Sequence, residues 1–221
     1  MTTPIRAVIF DMYGLLIDSE PLQIRAWRNY LDTHGKVLTD EVLAKMYGLR
    51  LSDSAKVVAC LLELDVTPEQ IAIDRDRIFL ATVPGNIEAR PGAVELVTEL
   101  KRRGTPIALA TSGHRVYVDL ALESAGIPKV FDVEVTGEMV ERGKPDPETF
   151  LTAAALLGVE AQACLVLEDS PNGVRAAKAA GMTCIAIPND DTTGLDLDIA
   201  DEVLASLSEV LGWLDGLTKR A

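Results

Sequence analysis

Ile5-Arg6-Ala7-Val8-Ile9-Phe10-Asp11-Met12-Tyr13-Gly14-Leu15-Leu16-Ile17-Asp18-Ser19-Glu20-Pro21 begins with an apolar run broken only by Arg6 and ends that run on an acid, Asp11. A continuous β-branched apolar run, without polar alternation, is the pattern of a strand buried on both faces. Working outward, three more such runs occur: Pro106 to Thr111, Ala163 to Leu167 and Thr183 to Ile187, with a weaker one from Val130 to Val135. Helical stretches separate them, Ala93 to Arg103, Val116 to Ala125, Pro147 to Leu157 and Pro171 to Ala180. They stop at Gly104, Gly126, Gly158 and Gly181, the residue type that closes helices best. Strands alternating with helices imply right-handed crossovers and a parallel sheet, so the expected fold is a doubly wound, Rossmann-like α/β core.

Between about Glu20 and Val83 the rhythm changes. No strand is evident, and four helices are expected: Pro21 to Thr33, Asp40 to Met46, Asp53 to Leu64 and Pro68 to Thr82. Leu15 to Ser19 and Pro84 to Gly92 connect this segment to the rest. The expected organisation is therefore a core of residues 1–19 and 85–221 with an α-helical cap domain, 20–84, inserted after the first strand. A helical lid over strand ends suits an enzyme that excludes water, although a decorative insertion reads the same way. A last helix, Glu202 to Leu214, is expected at the sheet edge.

Composition narrows the function. No apolar run approaches the ~20 residues of a membrane-spanning helix, and the N-terminus lacks a secretory pattern. The net charge of −13 and the absence of a dense Lys/Arg cluster argue against a nucleic-acid partner. Lys101-Arg102-Arg103 closes a helix, where cations suit the dipole. Cys60, Cys164 and Cys184 are too scattered for a disulfide or metal framework, which points to a reducing cytoplasm. A monomer or weak dimer is expected.

In an open α/β sheet, ligands bind beyond the carboxyl ends of the strands. Four such places carry reactive groups: Asp11, then Thr111-Ser112-Gly113, then Lys144 after the weak strand, then Glu168-Asp169-Ser170. Each has an ordinary explanation alone, as a helix cap, a surface lysine or a Ser-Pro helix start. Their coincidence at four strand ends is what those explanations do not predict. A carboxylate can attack phosphorus, hard oxygen ligands suit Mg²⁺, and an ammonium with backbone amides can hold phosphoryl charge during transfer.

These motifs resemble those of the haloacid dehalogenase superfamily, in its phosphatase and β-phosphoglucomutase-like branch with a helical cap. Phe10 to Pro21 resembles the first motif and its flap, Ala110-Thr111-Ser112 the second, Gly143-Lys144-Pro145-Asp146-Pro147 the third, and Leu167 to Met182 the fourth. The resemblance implies that Asp11 is nucleophile and metal ligand, that Thr111, Ser112 and Gly113 bind the transferring phosphate, and that Lys144 neutralises it. It also implies that Glu168, Asp169 and the backbone carbonyl of Tyr13 hold Mg²⁺. Gly48-Leu49-Arg50 resembles the cap loop that reaches the substrate, with Arg50 as the contacting residue; a solvated cap arginine is the other possibility. The implied substrate is a small phosphorylated metabolite, with sugar phosphates favoured by the flap.

One residue departs from the pattern. Phosphatases of this family carry a second aspartate two residues after the nucleophile, which protonates the leaving group and activates water; here it is Tyr13. Tyrosine, with an ordinary pKa of about 10, is a poor base at neutral pH. Hydrolysis of an aspartyl phosphate would then be slow. Tyrosine here also resembles L-2-haloacid dehalogenases, but Glu168-Asp169 is the metal-binding form of the fourth motif. A β-phosphoglucomutase-type phosphotransferase would carry a histidine where Gln23 stands, and glutamine is no base. A non-catalytic phosphate binder is the third alternative. His114 follows the second motif and His34 falls near the end of a cap helix; a surface role for His114 fits as well as a substrate contact.

Overall fold

The computed structural model describes residues 4–46, 49–190 and 192–218. Strand β1 (Ala7–Phe10) is followed by the short strand β2 (Ile17–Asp18) and four helices, α1 (Glu20–Asp32), α2 (Asp40–Met46), α3 (Leu51–Leu61) and α4 (Pro68–Leu80). The chain then runs through β3 (Glu88–Ala89), α5 (Ala93–Arg102), β4 (Ile107–Ala110), α6 (Arg115–Ser124), β5 (Val133–Val135) and α7 (Glu148–Leu157). It finishes with β6 (Cys164–Glu168), α8 (Pro171–Ala179), β7 (Thr183–Ala186), β8 (Glu202–Val203) and α9 (Val210–Thr218).

Six strands form one parallel sheet in the order β5-β4-β1-β6-β7-β8. The α/β fold expected from the apolar runs is therefore present. Strand β1 is central, completely buried and paired on both sides, which is why its sequence is apolar without alternation. From β1 the chain builds outward to β4 and β5, then returns and builds the other way through β6, β7 and β8. Strand order thus reverses at β1, and the crevice of such a sheet opens at the carboxyl ends there. Apolar side chains of α5, α6 and α9 join one core cluster and those of α7 and α8 another, so both sheet faces are covered.

The helices α1 to α4 have a core of their own, built around Trp27, Tyr30, Leu31, Val58 and Ile71. The connections on either side of them pair with each other: Ile17 and Asp18 lie antiparallel to Ala89 and Glu88. The stretches read as mere linkers thus form a two-stranded ribbon. Phe79, Leu22 and Ala26 extend the sheet's core into the inserted helices.

The expected helix from Glu202 to Leu214 is a correction. Glu202–Val203 is instead the sixth strand, and helix α9 starts only at Val210. The ladder wins because Asp201 and Leu204 donate backbone N–H groups to Cys184 and Ala186, while the Asp201 carboxylate accepts from Cys184 N at 2.8 Å. Ser206 then caps the single turn that precedes α9, its Oγ accepting from Ser208 N at 3.3 Å.

Candidate active site

Asp11 is the first residue beyond β1, and its N–H donates to Leu167 O at 3.0 Å, extending the β1–β6 ladder by one step. The nucleophile candidate is therefore fixed by the sheet itself. The chain turns back at once: Leu16 and Ile17 donate to Met12 O, and Gly14 adopts φ +75°. A Cβ on Gly14 would lie 2.2 Å from Asp169 Oδ2, so both the turn and the close approach of the fourth motif require glycine.

Lys144 reaches in from the loop before α7. Its Nζ lies 2.5 Å from Asp11 Oδ1 and 2.7 Å from Glu168 Oε1, and it donates to Ala110 O at 3.3 Å. All three side chains are nearly fully buried. The other oxygen of Glu168 accepts from Asp169 N, Ser170 N and Ser170 Oγ at 2.8–3.1 Å. Ser170 also caps α8, with Pro171 in its first turn. Burial, then Glu168, raise the Asp11 carboxyl to about 7, against the downward pull of Lys144. Asp169 is raised well above its usual range, chiefly by burial and then by Glu168. Burial alone would lower Lys144, but Asp11 and Glu168 together raise it.

One oxygen each from Asp11, Glu168 and Asp169 lie within 4.8 Å of one another. Three buried carboxylates share one ammonium, and this hard, oxygen-rich, under-neutralised set fits a divalent cation such as Mg²⁺. Glu168 has both oxygens engaged by Lys144 and backbone donors, which leaves Asp11 and Asp169 better placed for direct ligation.

The cluster lies at one end of a cavity of about 180 Å³ between the sheet and the inserted helices. Ser112 and Gly113 line it; Thr111 is fully buried behind them, accepting from Gly113 N at 3.1 Å. The Tyr13 ring stacks on Tyr117, centroids 5.1 Å apart and planes 4° from parallel, and Tyr117 in turn meets Phe79 at 4.7 Å. The Tyr13 hydroxyl rests against Gly113, where a Cβ would come within 2.1 Å of it. Burial, and then the charge repulsion from the neighbouring Tyr117 phenol, hold this phenol well above its usual range.

Arg50 carries two readings, a substrate contact and a solvated cap arginine. Its guanidinium donates to Asp53 Oδ2 and to Glu141 O at 3.3 and 3.2 Å, and it does not line the cavity. Gly48 of the same loop lies outside the described residues. His114 lines the cavity rim but faces Glu138, at 3.2 Å.

The inserted helices contribute residues that sequence reasoning passed over. Arg75 is 2% exposed, sandwiched between the rings of Trp27 and Phe79 with its Cζ 5.2 and 4.7 Å from their centroids. Its Nη2 donates to Gln23 O at 3.1 Å and to Gln23 Oε1. Its Nε is buried without a partner among the described residues, and burial lowers the guanidinium to about 10. The signal was present: Ile71, Arg75 and Phe79 share one face of α4, so a charge interrupts an apolar stripe. Asn189, beyond the end of β7, also lines the cavity, and only its place after a strand marks it in the sequence.

With this geometry in view, comparison with known proteins is direct. The haloacid dehalogenase-like hydrolase profile matches residues 5–181. The chain is 37% identical over 206 residues to hexitol phosphatase A of Escherichia coli (strain K12), covering 93% of each protein. It is 34% identical over 180 residues to the phosphorylated carbohydrates phosphatase of Thermotoga maritima, covering 80% of this chain and 82% of that protein. Its fold superposes with a TM-score of 0.81 on a mutant CbbY from Rhodobacter sphaeroides in complex with xylulose-(1,5)-bisphosphate, at 31% identity, covering 93% of this chain and 96% of that one. The chain belongs to the haloacid dehalogenase-like hydrolases. Within them it stands in the phosphatase branch, the phosphoric monoester hydrolases.

Proposed function

We propose that this protein hydrolyses phosphomonoesters of small polyhydroxylated molecules, sugar or alditol phosphates, through an aspartyl phosphate on Asp11 and with Mg²⁺. The observation that carries this is the buried constellation of Asp11, Lys144, Glu168 and Asp169 at the end of a cavity of substrate size. Asp11, Asp169 and the Tyr13 carbonyl would hold the cation, with Glu168 beside them. When bound, Mg²⁺ neutralises these carboxylates and offsets charge on the phosphoryl oxygens.

An Asp11 oxygen attacks phosphorus and the ester P–O bond breaks, leaving an alkoxide that needs a proton. Lys144 and the Ser112 amide hold the phosphoryl charge, with Thr111 bracing that loop through the Gly113 N–H. Water then attacks the aspartyl phosphate, releasing phosphate and restoring Asp11. The neutral Tyr13 phenol can give that alkoxide its proton and is reprotonated by solvent, but, held well above its usual range, it cannot take the proton of the attacking water, which has to pass to solvent. The first half-reaction therefore outpaces the second, and the enzyme rests as the phosphorylated form.

The inserted helices act as the cap over the leaving group. Arg75 and Gln23 offer donors and an acceptor, Glu20 and Asp76 line the same cavity as acceptors, and Trp27 adds a flat apolar wall. Two acids beside Arg75 disfavour a second anion and suit neutral hydroxyls. The 37% identical relative named as a hexitol phosphatase agrees with this choice. A buried acidic triad has no use in dehalogenation, and Gln23, turned to Arg75, lacks the base a mutase would place there.

The test is phosphate release from hexitol and sugar phosphates with and without Mg²⁺, beside halide release from 2-haloacids, in the unaltered chain and in Tyr13→Asp. Expected are a Mg²⁺-dependent burst of about one equivalent followed by slow turnover, and a rise of about 10²–10⁴-fold in steady rate for Tyr13→Asp. Metal-independent halide release by the unaltered chain would overturn the reading.

A further inference from the structure

Asn189 follows β7 after Ile187 and Pro188 and belongs to none of the four motifs. Its side chain is fixed from one end. Thr192, 4% exposed, donates its N–H to Asn189 Oδ1 at 3.0 Å, and its Oγ1 accepts from Asn189 N at 3.0 Å. With Oδ1 committed to that turn, the amide NH₂ faces two acceptors, Asp169 Oδ2 at 2.8 Å and Gly14 O at 3.1 Å. The flipped amide would set oxygen against a carboxylate and a carbonyl and leave Thr192 N facing hydrogens, so the network fixes the orientation.

Gly14 O also accepts from Arg90 Nε at 3.0 Å, and Arg90 N donates to Leu16 O at 2.9 Å. Arg90 lies just past β3, the strand that leads back from the inserted helices. A single amide therefore ties a carboxylate of the fourth motif to the turn that follows Asp11, and that turn is tied to the ribbon between sheet and cap. The oxygen it engages, Oδ2, is the one packed against Gly14.

We infer that Asn189 is a positioning residue for the metal: it holds Asp169 by Oδ2, leaving Oδ1 for the cation, and locks the Gly14 turn beside the Tyr13 carbonyl. This rests on the Mg²⁺ reading above. Groups that orient metal ligands without touching the metal are worth about 10–100-fold in affinity. Asn189 supplies a neutral donor for that work, one that adds no charge to a cluster already rich in it.

The test uses the full chain and reads Mg²⁺ affinity by calorimetry and melting temperature in chelator, for the unaltered protein, Asn189→Ala and Thr192→Val. Thr192→Val removes the Oγ1 bond of the same turn without altering any group that faces Asp169. Expected is a Mg²⁺ dissociation constant raised about tenfold or more in Asn189→Ala and moved less than about twofold in Thr192→Val, while both lower the metal-free melting temperature. Equal Mg²⁺ affinity in Asn189→Ala and the unaltered chain would overturn the inference. Equal weakening in both variants would also overturn it, since the side chain would then merely shape the turn. No Mg²⁺ binding by the unaltered chain would remove the metal reading itself, and this inference with it.

Discussion

Lys144 at the carboxyl ends of the central strands and Arg75 in the inserted helices are both deeply buried cations, and they are partnered in opposite ways. Lys144 lies 2.5 and 2.7 Å from two carboxylates. Among the described residues Arg75 forms no ion pair, although Asp76 is near; it has two ring faces, a glutamine and a donor left over. A buried charge matched by acids is part of the protein's own balance. A buried charge held by rings, with a spare N–H, is poised for something brought from outside. On the proposed function, the floor of the cavity would take the phosphoryl group and the roof the variable remainder of the substrate.

The sharpest way to break this contrast is to remove each cation in turn. Lys144→Met leaves Asp11 and Glu168 buried without their ammonium, and one-sided removal of a buried pair costs about 3–5 kcal/mol. Metal-free chemical denaturation at pH 8 should show that loss. At pH 5 it should shrink, because Asp11, raised to about 7, takes up a proton instead. Stability unchanged at pH 8 would mean that the three side chains do not share one charge balance.

Arg75→Met should behave otherwise. Methionine fills much of the same space between Trp27 and Phe79 without a charge to desolvate, so stability should stay within about 1 kcal/mol or rise. The loss should appear in substrate discrimination. A hydrogen bond to a charged group is worth about 1.5–3 kcal/mol, so KM for a hexitol phosphate should rise at least about tenfold. KM for a minimal ester such as methyl phosphate should hardly move. An equal loss on both substrates would place Arg75 with the cavity floor instead.

The two regions also differed in how far the sequence revealed them. The floor was legible because parallel strands buried on both faces read as unbroken apolar runs, and reactive residues at their ends then stand out. Asp11, Lys144, Glu168 and Asp169 come together for that reason. The roof was harder to read, since helices α1 to α4 announce their packing by periodicity but not by which side chain faces the cavity. Arg75 was recoverable only as a charge interrupting the stripe of Ile71 and Phe79. Arg50 looked free to reach a substrate because the Asp53 and Glu141 acceptors that hold it come from a local helix turn and from a loop distant in the chain. Strand β8 was missed because two exposed residues at a sheet edge carry no apolar signature, and their identity as strand comes from hydrogen bonds to β7.

The smallest expected effect concerns the floor alone and separates protons from metal. Asp11 and Asp169 are raised in the metal-free fold. A carboxyl raised on folding binds its proton more tightly in the native state, so its stabilising contribution is fully present below its unfolded value of about 4 and is lost as pH rises from there through the folded value. Cation binding requires the deprotonated set and therefore competes with those protons. The rise in melting temperature produced by saturating Mg²⁺ should accordingly grow between pH 5.5 and 8, with the steepest change near 7. Asp11→Asn should flatten that growth in part, since one of the competing protons is gone, while Arg75→Met should leave it as it was. A Mg²⁺ effect independent of pH would mean that the ion does not bind through these carboxyls, and the division between a charge-balanced floor and a substrate-reading roof would lose its first half.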